Sequence, residues 1–390
     1  MEWKVPLADL AYGAEEEQAV LDVLHSRWLT MGAVTQQFEK EYAGFLGVKH
    51  ALAVSNATVA LHLACLALGI GPGDEVIVPS LSFVATSNAV LYTGAQVRFA
   101  DIIGPDDLTI SPTAIETQIT TRTRAVIVMH YGGYPCHMEA IRGITKQHGL
   151  ALIEDAAHAP GASLESKPLG TWGDIGCFSF FSNKNLSTGE GGMLVTDQDD
   201  LAEKARVMRS HGMTSLTWDR HQGHAYSYDV VALGYNYRID EIRSALGLAQ
   251  LHKLRINNER RKNITQRYWH LLSPAGVGLP FRGWGSTADL SPAYHIFPML
   301  LPAGINREAF IDQMRAAGVQ TSIHYPPIHQ FSYYKAAYPG IILPQTEAAA
   351  ARQVTLPLYP TMSDEQVDLV VETVKKAVGS NQAANPSFYK

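Results

Sequence analysis

Cys177-Phe-Ser-Phe-Phe-Ser-Asn-Lys-Asn-Leu-Ser-Thr-Gly-Glu-Gly-Gly192 is an apolar run that stops at a lysine and passes into a glycine-rich loop. The run from Gly176 to Phe181 reads as a strand that delivers Lys184 on a loop, and Gly189, Gly191 and Gly192 let that loop turn tightly. Asp155 stands 29 positions before Lys184, in Ile153-Glu-Asp-Ala-Ala-His158, where a second apolar run, Leu150 to Ile153, breaks into two carboxylates. In open α/β sheets the carboxyl ends of strands open into the ligand crevice, so both segments present their polar side chains there.

Outward from this pair, strand-like and helix-like segments alternate between Lys49 and Asp197. The strand-like ones are Ala51 to Val54, Glu75 to Val78, Gln96 to Phe99, Ala125 to His130, Leu150 to Ile153, Gly176 to Phe180 and Met193 to Thr196. Such alternation predicts an α/β fold, a mostly parallel sheet flanked by helices. A long helical pattern from Ile239 to Leu272 follows, and its Arg255, Glu259, Arg260, Arg261 and Lys262 read as a solvated face. Beyond it come strand His295 to Leu301, helix Arg307 to Ala317, strand Gln320 to Ile323 and a last helix from Asp364 capped by Ser363, a smaller α+β domain. The expected boundaries are 1–26 for an N-terminal segment packing on the small domain, 27–250 for the large domain, 251–378 for the small domain and 379–390 for a polar tail.

A lysine amine forms a Schiff base with a carbonyl, and a pyridoxal phosphate enzyme needs that lysine together with an acidic partner for the pyridinium nitrogen. Lys184 and Asp155 suit these parts, although singly an Asp also caps helices and a Lys also sits on surfaces. A phosphate must be held too. Val54-Ser-Asn-Ala-Thr58 lies between a strand and the helix Val59 to Leu68, with Ser55 or Asn56 as cap. The Ala57 and Thr58 N–H groups and the Thr58 hydroxyl are candidates for an anion at that helix start. Phe83, after the strand Glu75 to Val78, can reach the same crevice and stack on a ring, or belong to the core.

The order of these segments resembles the DegT/DnrJ/EryC1/StrS family, fold-type I pyridoxal phosphate aminotransferases that make amino sugars. The likeness runs from about Arg27 to Met362. It rests on Leu29-Thr-Met-Gly32, Ser55-Asn-Ala-Thr58, Gly73-Asp-Glu-Val-Ile-Val-Pro79, Glu154-Asp-Ala-Ala-His158, Phe178-Ser-Phe-Phe-Ser-Asn-Lys-Asn185, Gly189-Glu-Gly-Gly192, Gly234-Tyr-Asn-Tyr-Arg238, His324-Tyr325 and Leu356-Pro-Leu-Tyr-Pro360. The resemblance implies that Lys184 carries the cofactor as a Schiff base, Asp155 pairs with the ring nitrogen, His158 lies on the phenolic oxygen side and Phe83 stacks on the ring. It further implies that Ala57, Thr58 and Ser179 hold the phosphate and that Asn236 reaches the phosphate of a neighbouring subunit, making a homodimer. Many relatives carry Gly or Ser where this chain has Asn56, and Gln where it has His158. Neither change removes a required chemical group.

Some relatives that deoxygenate sugars have His at the lysine position, so Lys184 favours transamination. The resemblance implies an amino-acid donor, usually glutamate, and a nucleotide-linked keto-deoxysugar acceptor. It places Thr30, Met31, Gly32, His324, Tyr325 and His329 near that acceptor. The aromatic-rich stretch His211 to Tyr228 has the character of a lid. An aminotransferase for a cyclitol or other small ketone, and a non-catalytic cofactor-binding regulator, are the other two readings; a half-reaction with an amino acid separates the last from both enzymes.

Composition narrows the rest. The chain has 390 residues, 46% of them hydrophobic, enough for a large core. Its 31 basic and 37 acidic residues give a net charge of −6, which offers no broad attraction to nucleic acid. No apolar run approaches the ~18 residues of a membrane span. Three cysteines, Cys65, Cys136 and Cys177, without a secretory leader point to a reducing, cytoplasmic setting. The fifteen histidines lack zinc-ligand spacing, so no metal is expected. Gly69-Ile-Gly-Pro-Gly73 has neither the spacing nor the lysine of a phosphate loop and reads as a helix end and turn.

Overall fold

The computed structural model describes residues 3–214, 227–286 and 289–383. Seven strands form one sheet: β1 (His50–Val54), β2 (Glu75–Pro79), β3 (Gln96–Ala100), β4 (Thr123–Met129), β5 (Ala151–Asp155), β6 (Ile175–Ser179) and β7 (Gly192–Thr196). Their spatial order is β1-β7-β6-β5-β4-β2-β3. All run parallel except β7, which is antiparallel to both of its neighbours, β1 and β6.

These strands are apolar runs because both faces of the sheet are covered. Ala51, Ala53, Ile77, Val126 and Val128 point into one layer with Phe38, Tyr42, Phe178 and Phe180. Their neighbours Leu52, Val54, Val76, Val78, Ala125 and Ile127 point into the other, against Leu61, Ala64 and Cys65 of the helix Ala57–Ala67. The two-residue period therefore divides every strand between two cores. Because the strands are parallel, Ser55, Ser80, His130, Ala156 and Phe180 leave the sheet at one edge. The site lies along that edge.

The long helix Glu241–Leu272 begins at an Asp240 cap, whose carboxylate accepts from Arg243 N. The cluster read as a solvated face divides in two. Arg260 pairs with Asp364 at 3.1 Å, whereas Arg261, one residue round the helix, turns inward and is only 3% exposed. Its guanidinium donates to the carbonyls of His295 and Leu358 at 3.2 and 2.7 Å. At ~100° per residue, adjacent helical positions do not share a face.

A third core gathers Tyr268, Phe297, Met299, Phe310, Val354 and Val370 around β8 (Phe297–Leu300) and β9 (Gln353–Leu356), an antiparallel pair. The expected strand Gln320 to Ile323 does not form as such and contributes one bridge, Ser322 to Thr355. The next backbone donor, His324 N, goes to the side chain of Gln353 at 2.9 Å, and Pro326 and Pro327 then bring no N–H at all. The N-terminal segment divides between two neighbours. Val5 bridges to Val319 and Leu7 N donates to Gln320 at 2.9 Å, while the helix Ala14–Ser26 lies on the long helix, where Glu16 accepts from Gln250 and Lys253 at 2.7 and 2.8 Å. Residues 215–226 of the stretch read as a lid, and residues 384–390 of the tail, lie outside the described residues.

Candidate active site

Asp155 ends β5 and is 4% exposed. Two donors hold its carboxylate: Thr86 Oγ1 to Oδ2 at 2.7 Å and Ala157 N to Oδ1 at 3.2 Å. Ser82 Oγ lies 2.7 Å from Thr86 Oγ1, so the turn after β2 supports the acid on β5. Burial raises the Asp155 pKa, against the opposing pull of Thr86, Ala157 N, Lys184 and His130. A buried carboxylate of this kind calls for a cation or a protonated ring nitrogen opposite it.

Its neighbour Glu154 points the other way. It accepts from Gly170, Trp172 and Gly173 N at 2.6–2.7 Å and lies 2.8 Å from His130 Nε2. Adjacent strand positions face opposite sides, so of these two carboxylates one is tied into a loop and the other remains at the crevice.

Lys184 leaves the loop after β6, and burial pushes its amine down to about 8, with Asp155 opposing. Its Nζ is 3.5 Å from Nε2 of His295. His158 is 1% exposed, and its ring accepts from Gly132 N at 3.2 Å through Nδ1, which leaves Nε2–H to face the Tyr325 hydroxyl at 2.9 Å. Burial holds its pKa well below the usual histidine value, with Lys184 and His324 adding to the effect. Tyr325 also packs on Phe83 at 5.9 Å between ring centres, and Phe83, three residues before Thr86, is an open aromatic face, 55% exposed.

The start of the helix Ala57–Ala67 meets the same edge. Asn56 is the cap and accepts from Val59 N. Ala57 and Thr58 N–H belong to the first turn, where no intrahelical acceptor exists. Gly192 of β7 makes the approach possible, since a Cβ there would fall 2.7 Å from Ala57 N and 2.6 Å from Asn56 C. Ser179 ends β6 at this place, its oxygen taking only a 3.4 Å contact from Phe181 N. Donors for a phosphate, an open aromatic, a buried carboxylate and a lysine of lowered pKa fit pyridoxal phosphate.

The comparisons agree with that fit. The sequence profile of the DegT/DnrJ/EryC1/StrS aminotransferase family matches residues 11–375. The chain belongs to this family. Its members are pyridoxal phosphate-dependent enzymes, and this chain is a pyridoxal phosphate-dependent aminotransferase of fold type I. It is 41% identical over 374 residues to the spore coat polysaccharide biosynthesis protein SpsC of Bacillus subtilis, covering 94% of this chain and 95% of the relative. The solved aminotransferase TlmJ of Streptoalloteichus hindustanus is 34% identical with a TM-score of 0.89, over 96% of this chain and 99% of that one. The sugar aminotransferase CalS13 of Micromonospora echinospora is 29% identical with a TM-score of 0.86, over 95% and 99%.

The remaining candidates from the sequence divide. His324 belongs with the lysine: burial lowers its pKa to about 4, with Lys184 adding to the shift, and its Nδ1 contacts Thr355 at 2.9 Å. His329 has both ring nitrogens engaged, with Ser80 at 2.7 Å and Glu347 at 3.1 Å. Thr30 bridges Asp240, Met31 is buried, and Gly32 N donates to Glu241 at 2.8 Å, so this stretch is fastened to the start of the long helix. Asn236 is exposed beside Ser210. Among the described residues no group of three or more His, Cys, Asp or Glu could hold a metal ion, and no helix is long and apolar enough to cross a membrane.

Thr86, His295 and Asn185 were not singled out by the sequence. The spacing Ser82-x-x-x-Thr86 would have put two hydroxyls on one helical turn, a usable signal. His295 offered none, since it sits inside what reads as an ordinary apolar strand.

Proposed function

We propose that this enzyme moves an amino group from an amino acid, L-glutamate in the first instance, to a nucleotide-linked keto-deoxysugar, giving an amino sugar nucleotide. The observation that carries the reading is Lys184 beside buried Asp155 at one sheet edge. A sugar acceptor is supported by the relatives, one named for polysaccharide biosynthesis and one a sugar aminotransferase.

When bound, pyridoxal phosphate supplies an electron sink for the carbanion formed at the donor's α-carbon. With two hydrogen bonds fixing its carboxylate in a dry setting, Asp155 would keep a proton on the ring nitrogen. The Nζ of Lys184, lowered to about 8, is partly neutral near pH 7 and takes the proton leaving the α-carbon. Ala57, Thr58 and Ser179 would hold the phosphate, and Phe83 would shield the ring. His158, kept neutral by burial, would serve the phenolic oxygen side. His324 and Tyr325 line the acceptor side, with Thr30, Met31, Gly32 and His329 as its more distant boundary.

We also place the enzyme in a homodimer. Tyr228, Val230, Val231 and Leu233 are 55%, 58%, 59% and 81% exposed on the segment leading to Asn236, an apolar stretch that a second copy would cover. From there Asn236 reaches the partner's phosphate site. The unpaired thiols Cys65, Cys136 and Cys177 support a cytoplasmic location.

The test is the visible spectrum of the purified enzyme before and after L-glutamate, with 2-oxoglutarate measured in the same sample. A band lost in step with stoichiometric 2-oxoglutarate is expected, followed by amination of keto-deoxysugar nucleotides. No 2-oxoglutarate would reject glutamate as donor, and no turnover of any keto-sugar nucleotide would reject the acceptor class.

A further inference from the structure

His295 is buried, 3% exposed, and stands at the mouth of the small domain facing Lys184. Three features fix its ring. Asn185, the residue after the lysine, donates through its amide nitrogen to Asn258 Oδ1 at 2.8 Å and to Ala293 O at 2.6 Å. Its Oδ1 is thereby left to accept, and it lies 2.9 Å from His295 Nδ1. Nδ1 consequently carries the hydrogen, and Nε2 presents a lone pair to Lys184 Nζ at 3.5 Å. The backbone agrees: Tyr294 has φ 49°, a left-handed conformation that a bulky side chain adopts only under constraint. The constraint is visible in Ala293 N and His295 N, which donate to Gly133 O and Gly132 O at 3.0 and 2.8 Å.

We propose that His295 is a positioning residue for the reactive amine: its Nε2 accepts a hydrogen bond from Lys184 Nζ, and Asn185 holds the ring in the only tautomer able to do so. The inference rests on the reading that Lys184 is the cofactor lysine. Holding one N–H on His295 sets the direction of the amine lone pair, so that Lys184 is aimed before any carbonyl arrives. His295 is not itself a base. The charged and titratable groups around it are Lys184, His158, His324 and Arg261, and together with burial they keep its pKa well below the usual value. An imidazole that stays neutral accepts a hydrogen bond and does not keep the proton.

The test is made on the cofactor-free protein. Lys184 is acetylated competitively against surface lysines across pH and quantified by mass spectrometry. The groups facing its Nζ are Asp155, His158, His295 and His324, of which only His295 accepts from it directly. An acceptor bond favours the charged amine, so His295→Phe should lower the labelling midpoint by roughly 1 pH unit, with Asn185→Ala moving it the same way and His295→Gln restoring it. A purely structural histidine would change the melting temperature and leave the midpoint in place. Wild-type midpoints in both folded variants, His295→Phe and Asn185→Ala, would overturn the inference; should His295→Phe not fold, Asn185→Ala decides alone. Borohydride trapping of pyridoxal phosphate on wild-type Lys184 is run in parallel. Failure there removes the underlying reading, whereas trapping with unmoved midpoints removes only the role of His295.

Discussion

The hydroxyl of Thr86 donates to Oδ2 of Asp155 at 2.7 Å, joining the short helix Ala85–Leu91 that follows β2 to the end of β5. That bond favours the ionised carboxylate against burial. Thr86→Val keeps the shape and removes the donor, and a hydrogen bond to a charged group is worth roughly 1.5–3 kcal/mol. Pyridoxal phosphate affinity should fall on the order of ten- to a hundredfold. Titration of the apo protein, followed by fluorescence, reads this directly; an unchanged Kd would mean that the bond does not tune Asp155.

Asp155→Ala removes the acid altogether. Transamination should lose on the order of 3 kcal/mol or more in kcat/KM, since the ring would no longer be held in its electron-withdrawing state. Steady-state kinetics with a saturating donor decide, and near-normal rates would exclude Asp155 from the reaction.

The amine of Lys184 has a folded pKa of about 8 against an ordinary 10.5. Between those values the unfolded chain binds a proton that the folded chain does not, so stability of the apo protein rises with pH through this window. Below it, the buried ammonium is a net cost. Lys184→Met should therefore melt higher than wild type at pH 7, with the gap closing toward pH 10. Differential scanning fluorimetry across pH measures it, and the same variant should show no covalently attached cofactor.

Below neutrality three histidines act together. His158, His295 and His324 all have lowered pKa values, His324 to about 4. As pH falls from about 6.5 the unfolded chain takes up protons that these rings refuse, and stability drops. The raised Asp155 pulls the other way, binding a proton in the folded state first. Net loss is expected from three groups against one, and His324→Gln should flatten the melting temperature between pH 6.5 and 4.

If Asn236 serves the neighbouring site, Lys184→Ala and Asn236→Ala chains mixed after separate inactivation should recover activity. Each mixed dimer then has one intact site, giving about a quarter of the wild-type rate under random exchange. No recovery, despite exchange shown by native mass spectrometry, would place Asn236 outside the partner's site.

The strands were legible because they are covered on both faces and so consist of uninterrupted apolar residues, as in Ala51 to Val54 and Ala125 to Met129. Asp155 and Lys184 were legible because each breaks such a run with a charge. Other parts depended on residues distant in sequence. His295 meets Asn185 across 110 positions, and its own neighbours look like core. Arg261 reads as one more surface charge until the helix direction is known. Gln320 to Ile323 has strand composition, yet side chains of Gln320 and Gln353 take bonds that a ladder would have supplied.

Within the seven-stranded sheet β1 is an edge strand, and β7 is its neighbour through pairs running from His50–Thr196 to Val54–Gly192. During synthesis β1 and the helix behind it are made early, while the strand that closes their edge is among the last of the sheet. Until Thr196 has left the ribosome, the nascent chain carries an unpaired edge with an apolar face on each side. The start of the helix Ala57–Ala67 and the loop that carries Lys184 both abut β7, so they settle in the same event. An incomplete chain therefore lacks the strand that backs both segments, and chaperone dependence should centre on the interval before β7 emerges.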